Sequence, residues 1–364
     1  MSADSRDEIS KHIGSIFLIV IITLSITGNM LVIAAVMYSA KLREQFSIYF
    51  IVNLSLTDLT NATFVMPFAT ASFMNDSWSF GPLICEMNCA LNYMCIITSM
   101  LTLCFIAVER YIAAVDTSMH RRSVTKKTIL VIITFSWVQA FVFAIIPVAS
   151  SWVTYDYWES VCAIDWNHGG LRPLVYVITA FILCFLLPSV IMSVAYIRLY
   201  RAVSNTCSIN PSEKRIMQSL VVIVTLFLVC MSPFCVTKLI KICFSKYSIP
   251  HAVNTLATFM QFSASAVNPI IYAFFRRDLR LVFKRMLCFK RFAKVEPGSG
   301  VTTVFSLTGR QQTAKNISDI QHDPNLKQQT FIEEDMEVEN DLDLDVFYLD
   351  EAPQSGNACM LSKC

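Results

Sequence analysis

Residues 87–108 read MNCALNYMCIITSMLTLCFIAV, 22 residues without a charge, and the triplet Glu109-Arg110-Tyr111 follows directly. A helix needs about 20 apolar residues to cross the hydrocarbon core of a bilayer. Six other stretches are long and apolar enough, of which 47–72, interrupted by Asp58, and 251–275 are the least uniform. They are residues 13–38, 47–72, 128–152, 173–197, 216–237 and 251–275. We therefore predict an all-α membrane protein, a bundle of seven transmembrane helices.

The composition excludes most other classes of protein. Charged residues make up 15% of the 364 residues and apolar residues 55%, whereas a soluble domain carries about 25% charge. The nine glycines disfavour a Gly-rich nucleotide-binding fold. The links between the apolar stretches leave no room for a soluble catalytic domain, and HExxH, GxSxG and P-loop motifs are absent from the sequence. We predict that the protein is not an enzyme.

The distribution of lysine and arginine predicts the orientation. The first, third and fifth links and the segment after the seventh stretch carry 15 of these residues, against 6 on the other side. Because cytoplasmic loops are enriched in Lys and Arg, the amino terminus is predicted outside and the carboxyl terminus in the cytoplasm. The same placement between apolar stretches makes nucleic acid an unsuitable partner. We expect a multi-pass protein of the plasma membrane.

Four segments follow from these patterns. Residues 1–12 form a short extracellular N-terminus, and residues 13–275 form the seven-transmembrane bundle. Residues 276–290 alternate apolar and basic positions, which predicts an amphipathic helix 8 on membrane lipid. Residues 291–364 form a disordered cytoplasmic tail, which is acidic because 301–364 hold 12 acidic and 4 basic residues.

Two cysteines are placed to form a disulfide on the outside. Cys85 lies 25 residues before Arg110, which corresponds to about 37 Å of helix, so the two residues lie at opposite faces of the membrane. Cys162 lies in the link between the fourth and fifth stretches, also outside. The exterior is oxidising, which favours a Cys85–Cys162 bridge. Cys89 and Cys243 also lie near the outer face, so another pairing stays open.

The motifs, taken in order, resemble the rhodopsin-like (class A) G-protein-coupled receptors over about residues 13–290. One or two occur in each predicted span, and the whole set is far more specific than any one of them. The segment 78–85, WSFGPLIC, resembles the biogenic-amine branch of that family and its orphan relatives. The motif residues are Gly28-Asn29, Leu54-Ser55-Leu56-Thr57-Asp58, Cys85, Glu109-Arg110-Tyr111, Trp137, Pro188, Tyr196, Pro233 and Asn268-Pro269-Ile270-Ile271-Tyr272.

The resemblance implies a switch at the inner face, centred on Arg110. In the resting state Arg110 pairs with Glu109 and Glu213, and on activation it turns toward two tyrosines and a heterotrimeric G protein. Glu109 stands where the family more often has Asp, so the charge is kept. The switch residues are Glu109, Arg110, Tyr111, Tyr196, Glu213 and Tyr272.

The resemblance also implies a polar cavity and a packed connector between the ligand pocket and the inner face. The cavity commonly holds a sodium ion, whose hardness suits oxygen ligands such as those of Asp58 and Ser99. The alternative is a protonated Asp58 in a structural cluster. No other cofactor is expected. The cavity residues are Asn29, Asp58, Ser99, Ser265 and Asn268, and the connector residues are Met100, Pro188, Phe227, Met231, Pro233 and Pro269.

The ligand pocket departs from the family at three positions. Met231 replaces the usual tryptophan of the sixth span, and Asn92 replaces the aspartate with which amine receptors bind a protonated amine. Phe262 replaces the retinal lysine of opsins. The ligand is therefore unknown, and a simple amine bound through a third-span Asp is not expected. The pocket candidates are Asn92, Tyr93, Ile96, Phe181, Cys184, Phe234, Cys235, Lys238, Thr258 and Phe262.

Three modification or partner sites are predicted. Cys288 ends the amphipathic helix and is a candidate for palmitoylation. Asn75 begins a glycosylation sequon placed outside, close to the membrane. Serines and threonines of the tail are candidate targets of receptor kinases, leading to arrestin.

The function expected from these features is a receptor that transmits an extracellular signal to a heterotrimeric G protein. One alternative keeps the fold but drops the ligand: an orphan receptor that is constitutively active or serves as a scaffold. A more remote alternative is a transporter or channel, which would need a continuous polar path through the spans.

Overall fold

The computed structural model describes residues 6–165, 171–204, 211–244 and 249–287, with the backbone alone for 202–204, 211–220 and 287. The chain divides into units 1–291 and 292–364. The predicted tail and Cys288 lie outside the described residues. The described helices and strands are α1 Glu8–Tyr38, α2 Ala40–Arg43, α3 Ser47–Phe64, α4 Met66–Asn75, α5 Gly81–Val115, α6 Thr117–Ser123, α7 Lys126–Ala149, β1 Val153–Asp156, β2 Val161–Ile164, α8 Leu171–Phe181, a π-helix Ile182–Leu186, α9 Leu187–Ser204, α10 Pro211–Cys243, α11 His251–Phe275 and α12 Arg277–Leu287.

Five helical segments in the described part of the chain are long and apolar enough to cross a membrane. They are Glu8–Tyr38, Gly81–Val115, Lys126–Ala149, Leu171–Arg201 and Val221–Cys243. The predicted spans 47–72 and 251–275 are not among them. The first is divided between α3 and α4, and α11 carries buried polar residues such as Asn254, Gln261 and Asn268.

The division between α3 and α4 is caused by a proline. Pro67 lacks a backbone N–H and its ring crowds the preceding turn, so the helix breaks at Val65. The buried Asn88 of α5 donates from Nδ2 to the backbone oxygen of Phe64 at 3.3 Å and to that of Val65 at 3.4 Å. The oxygen of Val65 also accepts the N–H of Ala69 at 3.3 Å. The kink is therefore stabilised by the neighbouring helix.

The predicted fifth span is also irregular, and again a proline is adjacent. Pro188 cannot donate to the preceding turn, and the five residues Ile182–Leu186 just before it form a π-helix. The N–H of Leu187 bonds to the oxygen of Ile182, five residues earlier. Single-turn π-helices often occur at functional sites.

The prediction of an all-α protein was incomplete, because the link after α7 contains a β-hairpin. Strands β1 and β2 pair antiparallel, with Tyr155 opposite Cys162. Cys162 is disulfide-bonded to Cys85 near the start of α5, and Cys89 and Cys243 are free. The hairpin is therefore covalently attached to α5. The short extended segments were missed because the sequence analysis searched for membrane-length helices.

Helix α5 lies at the centre of the bundle, where it contacts α3, α7 and α9. The helices α1 and α11 also pack together, and Gly28 explains how they meet. A Cβ atom at Gly28 would lie 2.6 Å from Cγ of Pro269. Only a residue without a side chain allows this approach of α1 to the proline bend of α11.

Candidate functional site

The inner end of α5, named by the predicted orientation, holds the proposed switch. Glu109 is buried, and its Oε2 lies 2.9 Å from Nε of Arg110, an ion pair without hydrogen-bond geometry. Its Oε1 lies 2.7 Å from Nε2 of His120 on α6. Asp116 caps α6 by accepting from the N–H of Met119 at 2.8 Å. The carboxylate of Glu109 thus connects Arg110 to helix α6.

The other four switch residues lie on four helices, α5, α9, α10 and α11. Tyr196 and Tyr272 are buried in the same apolar cluster. The hydroxyl of Tyr196 is buried without a partner among the described residues. Tyr111 is half-buried on α5. Glu213 lies on α10, but its side chain is outside the described residues.

A second inner contact joins α11, α12 and the first link. Arg276, 1% exposed, donates from Nε and an Nη atom to both oxygens of Asp278 at 3.0 and 2.6 Å. The same guanidinium donates to Oε1 of Gln45 at 3.2 Å. Burial alone would raise the pKa of Asp278, but Arg276 outweighs it and lowers the pKa. The sequence did not indicate this contact, because Arg276 and Gln45 lie 231 residues apart in the chain.

The five predicted cavity residues are all buried on four helices. Asn268 donates to Oδ2 of Asp58 at 2.9 Å, and Ser265 lies beside the same carboxylate. Asn29 donates to the backbone oxygen of Ser265 at 3.1 Å, while its own Oδ1 is buried without a partner among the described residues. Ser99 is hydrogen-bonded to Thr57 at 3.0 Å. The structure therefore connects Asn29, Asp58, Ser265 and Asn268, whereas Ser99 contacts Thr57, the residue before Asp58.

An apolar cavity of about 100 Å³ lies above this region, between α5, α8, α10 and strand β2. Seven of the ten pocket candidates line it: Tyr93, Ile96, Phe181, Cys184, Phe234, Cys235 and Lys238. Three connector residues, Met100, Phe227 and Met231, line it too and belong to the main core cluster. The cavity thus adjoins the packed centre of the protein. Among the connector prolines, Pro188, Pro233 and Pro269 mark irregular or bent parts of α9, α10 and α11.

The three remaining pocket candidates lie outside the cavity lining. Asn92 accepts a hydrogen bond from Nε2 of Gln261 at 3.2 Å. Thr258 bonds to the backbone oxygen of Asn254 at 3.3 Å, and Phe262 is buried in a separate apolar cluster. The side-chain amides of Asn92 and Gln261 thus pair between α5 and α11, at the position where the aspartate of amine receptors is expected to bind a protonated amine.

A cluster of four charged side chains lies next to the cavity, and one of them, Lys238, belongs to the cavity lining. Both oxygens of Glu159, in the β1–β2 turn, are engaged: Oε2 by Lys238 and Oε1 by Lys241. Lys241 also donates to Oδ2 of Asp156 at 3.0 Å. Burial alone would raise the pKa of Asp156, but Lys241 and Lys238 outweigh it and lower the pKa. The hairpin is therefore bound to α10 by ion pairs as well as to α5 by the disulfide.

The sequence placed Lys238 among the pocket candidates but did not indicate its partner Glu159 or the neighbouring Asp156. Glu159 is 79 residues from Lys238 in the chain, so no local pattern connects them. The predicted glycosylation site, Asn75, is exposed at the end of α4. Its neighbour in the sequon, Asp76, is engaged by Arg6 and Lys11.

Comparison with known proteins decides the family. Residues 28–272 match the family described as 7 transmembrane receptor (rhodopsin family). The chain belongs to this family. A 5-hydroxytryptamine receptor 4 of Homo sapiens is 26% identical over 320 residues, which cover 79% of this chain and 82% of that receptor. A D(1)-like dopamine receptor of Takifugu rubripes is 27% identical over 360 residues, 86% of this chain and 77% of the relative. An octopamine receptor beta-2R of Chilo suppressalis is 28% identical over 311 residues, covering 74% and 78%.

The predicted resemblance to rhodopsin-like receptors is therefore confirmed, including its leaning toward the amine branch. Members of this family are multi-pass membrane proteins and are not enzymes. They act with an extracellular ligand and a G protein. The alternatives of a ligand-free scaffold or a transporter are not favoured by these relatives.

Proposed function

We propose that this receptor transmits an extracellular signal to heterotrimeric G proteins through a conformational switch centred on Arg110. It crosses the plasma membrane seven times, with the amino terminus outside and the tail in the cytoplasm. The spans are those predicted at 13–38, 47–72, 87–108, 128–152, 173–197, 216–237 and 251–275. The less apolar second and seventh spans carry the polar residues that face the interior, where they are stabilised by hydrogen bonds rather than lipid.

The single observation that carries this proposal is the Glu109–Arg110 ion pair at the inner end of α5. An ion pair in a nearly buried place stabilises one arrangement of the helices over another, because breaking it leaves a charge without compensation. A ligand that favours the arrangement without the pair shifts the population toward it. Arg110 is then free to turn toward Tyr196 and Tyr272 and to face the G protein.

The ligand of the apolar cavity is small and does not use an aspartate of α5. Asn92 is neutral and hydrogen-bonded to Gln261, so it offers no counter-ion to an amine. Drug-sized sites usually measure about 300–1,000 Å³, which is larger than this cavity. Among the described residues of its lining, Lys238 is the charged one, and Glu159 engages it. A ligand in the cavity thus acts next to the ion pairs that hold the hairpin to α10.

The polar cavity is suited to a sodium ion that favours the resting state. Asp58 and Ser99 would hold the ion, and Oδ1 of Asn29 is buried without a hydrogen-bond partner among the described residues. When bound, sodium supplies a positive charge that neutralises the buried carboxylate. The hydrogen bond between Asn268 and Asp58 already joins α3 to α11. An ion bound at the same carboxylate would hold these two helices together and oppose their separation when the receptor is activated.

We further propose that α12 is the amphipathic helix that lies on the inner membrane surface. Its Leu279, Val282 and Phe283 are buried, and Lys284 and Arg285 are exposed. Cys288 after it would carry a palmitoyl group, Asn75 a glycan, and the tail phosphates for arrestin. These additions follow the family resemblance and the positions of the residues.

The test uses ligand-free signalling in cells, with a panel of G-protein activation sensors at matched surface expression. Glu109→Gln removes the charge that holds Arg110, so it should raise the basal signal several-fold in at least one sensor. Adding Arg110→Ala to that variant should abolish the gain. Arg122→Ala, which removes an exposed arginine of α6, is the matched control and should leave the signal unchanged. A gain that survives Arg110→Ala would contradict the proposed role of Arg110.

A further inference from the structure

The guanidinium of Arg6 is enclosed by aromatic side chains beside the hairpin. Its Cζ lies 4.3 Å from the ring centroid of Tyr157, 4.6 Å from that of Phe73 and 5.5 Å from that of Trp158. A cation within about 6 Å of an aromatic face is attracted by the negative charge of the π system. The Arg6 side chain is only 6% exposed. We call Phe73, Tyr157 and Trp158 the aromatic cage.

Oxygen atoms beside the aromatic cage accept hydrogen bonds from the same guanidinium. One Nη of Arg6 donates to Oδ1 of Asp76 at 3.0 Å. The other donates to Oγ of Ser160 at 2.9 Å and to the backbone oxygen of Tyr157. Tyr157 in turn donates its hydroxyl to Asp76 at 3.0 Å. Burial alone would raise the pKa of Asp76, but Lys11, Tyr157 and Arg6 lower it. The carboxylate therefore stays charged at neutral pH.

The cage is held by contacts that do not involve Arg6. Trp158 stacks on His251 with centroids 3.6 Å apart and accepts a hydrogen bond from Thr255 at 2.8 Å. Phe73 packs edge-on against Phe259 at 5.3 Å. The helix α1 leaves space for Phe73 because residue 14 is glycine, where a Cβ would lie 2.5 Å from the ring. Residues of α1 and α11 thus hold Trp158 and Phe73 of the aromatic cage in place.

We propose that the aromatic cage, with Asp76 and Ser160, is an outer-face binding site for a small guanidinium compound, and that Arg6 occupies it as an internal stand-in for that ligand. The acceptors decide the chemical class. A quaternary ammonium satisfies the aromatic faces but has no N–H for Asp76, Ser160 and the carbonyl of Tyr157. A planar guanidinium offers five N–H donors in a fixed fork.

The tether should make the native chain resist free ligand. Arg6 lies two residues before α1 begins, so its guanidinium is held close to the cage at an effective concentration on the order of millimolar. A free guanidinium compound must exceed that concentration or replace the tethered residue when the N-terminus is displaced. The site is distinct from the apolar cavity lined by Lys238, and its occupation does not depend on G-protein coupling.

The experiment measures binding of methylguanidinium to the purified full-length receptor in detergent at constant ionic strength. The readout is the rise in the thermal unfolding midpoint as the compound is titrated. Arg6→Ala empties the cage, so the apparent Kd should fall at least tenfold relative to wild type. Adding Asp76→Asn to Arg6→Ala should weaken binding again by at least tenfold. Tetramethylammonium, a cation of comparable size without N–H groups, should bind Arg6→Ala at least tenfold more weakly than methylguanidinium.

Arg172→Ala is the control, because it removes an exposed arginine from the start of α8 and should behave as wild type. If Arg6→Ala does not fold, Arg6→Gln keeps part of the hydrogen bonding and is titrated instead. An Arg6 variant that gains no affinity over wild type would overturn the proposal, as would binding unchanged by Asp76→Asn. A failure of G-protein signalling would leave both binding results standing, so the two proposals fail separately.

Discussion

Glu109 connects the switch residue Arg110 to His120 of α6, the short helix that follows α5. It binds Arg110 through one oxygen and His120 through the other, while only 6% of its surface is exposed. The bond from His120 uses one lone pair of the carboxylate and fixes the direction of the second oxygen. His120 is thus a positioning residue that holds Glu109 toward Arg110.

We therefore expect His120→Ala to raise ligand-free signalling. A hydrogen bond to a charged group contributes about 1.5–3 kcal/mol, and 1.4 kcal/mol changes a population ratio about tenfold. If the active arrangement is the minor one, its population should rise several-fold. The measurement is basal G-protein activation at matched surface expression. Met119→Ala changes an exposed residue of the same helix and should give the wild-type signal. An unchanged signal in His120→Ala would show that the bond does not hold the switch.

Single residues also show what sequence can predict and what it cannot. Cys85 and Cys162 were paired correctly, because membrane sidedness left few cysteines on the outer face. The prediction did not find Glu159, because an acid in a loop is usually solvated and its lysine partners lie on a distant helix. His120 was missed for a similar reason, since the turn into α6 brings it back to Glu109. Local pattern predicts sidedness and helices, whereas pairings between distant segments depend on the tertiary fold.

At the scale of elements, the β-hairpin is attached to two different helices. The disulfide joins β2 to α5, and the ion pairs of Asp156 and Glu159 join the hairpin to α10. Motion of α10 must therefore either carry the hairpin with it or break the ion pairs. Because of these ion pairs, a displacement of the hairpin at the outer face would also displace α10.

Glu159→Gln should strongly destabilise the receptor. Glu159 is 2% exposed, and removing one partner from a buried charge cluster costs about 3–5 kcal/mol. The thermal unfolding midpoint of the purified protein should fall accordingly. The double variant Glu159→Gln with Lys241→Gln restores charge balance and should lose less than the sum of the two single variants.

Glu8→Gln provides the matched control for that measurement. It makes the same substitution at an exposed glutamate that pairs with Lys11, and ion pairs at the surface contribute little to stability. Its unfolding midpoint should stay near that of wild type. Equal losses in Glu8→Gln and Glu159→Gln would contradict the strength assigned to the buried cluster.

The crossing of α1 and α11 makes a second prediction at this scale. Alanine is a better helix former than glycine by about 1 kcal/mol, so Gly28→Ala would be stabilising in an open helix. Here the new Cβ would lie 2.6 and 2.8 Å from two atoms of the Pro269 ring, which cannot turn away. Overpacking typically costs about 1–3 kcal/mol, so the clash should win. Gly28→Ala should lower the unfolding midpoint, whereas Thr27→Ala, at an exposed position of α1, should not. Equal midpoints for the two variants would mean that α1 can move away from the proline.

At the scale of the whole molecule, the polar residues of the interior explain why hydropathy separates the helices into two groups. The stretches 47–72 and 251–275 were the least uniform in the sequence, and the helices built from them hold Asp58, Asn61, Ser265 and Asn268 in buried positions. Their low apolarity reflects contacts with other helices, not contact with water. Composition could predict the existence of these helices, but not the break at Val65 or the π-helix before Pro188, which depend on local proline geometry and packing.

The buried polar cavity also makes the whole receptor sensitive to sodium, if Asp58 binds the ion as proposed. The cavity draws on α1, α3, α5 and α11, so an ion there stabilises the packed arrangement of all four helices. A ligand at ten times its Kd stabilises the state that binds it by about 1.4 kcal/mol. Sodium chloride should raise the unfolding midpoint of the purified protein above its value in potassium chloride of equal ionic strength. Asp58→Asn should remove that difference by removing the charged ligand, and Glu44→Gln, at an exposed acid after α2, should preserve it. A sodium-specific shift that persists in Asp58→Asn would place the ion elsewhere, and equal midpoints of the wild type in the two salts would leave Asp58 as part of a structural hydrogen-bonded cluster with Asn268.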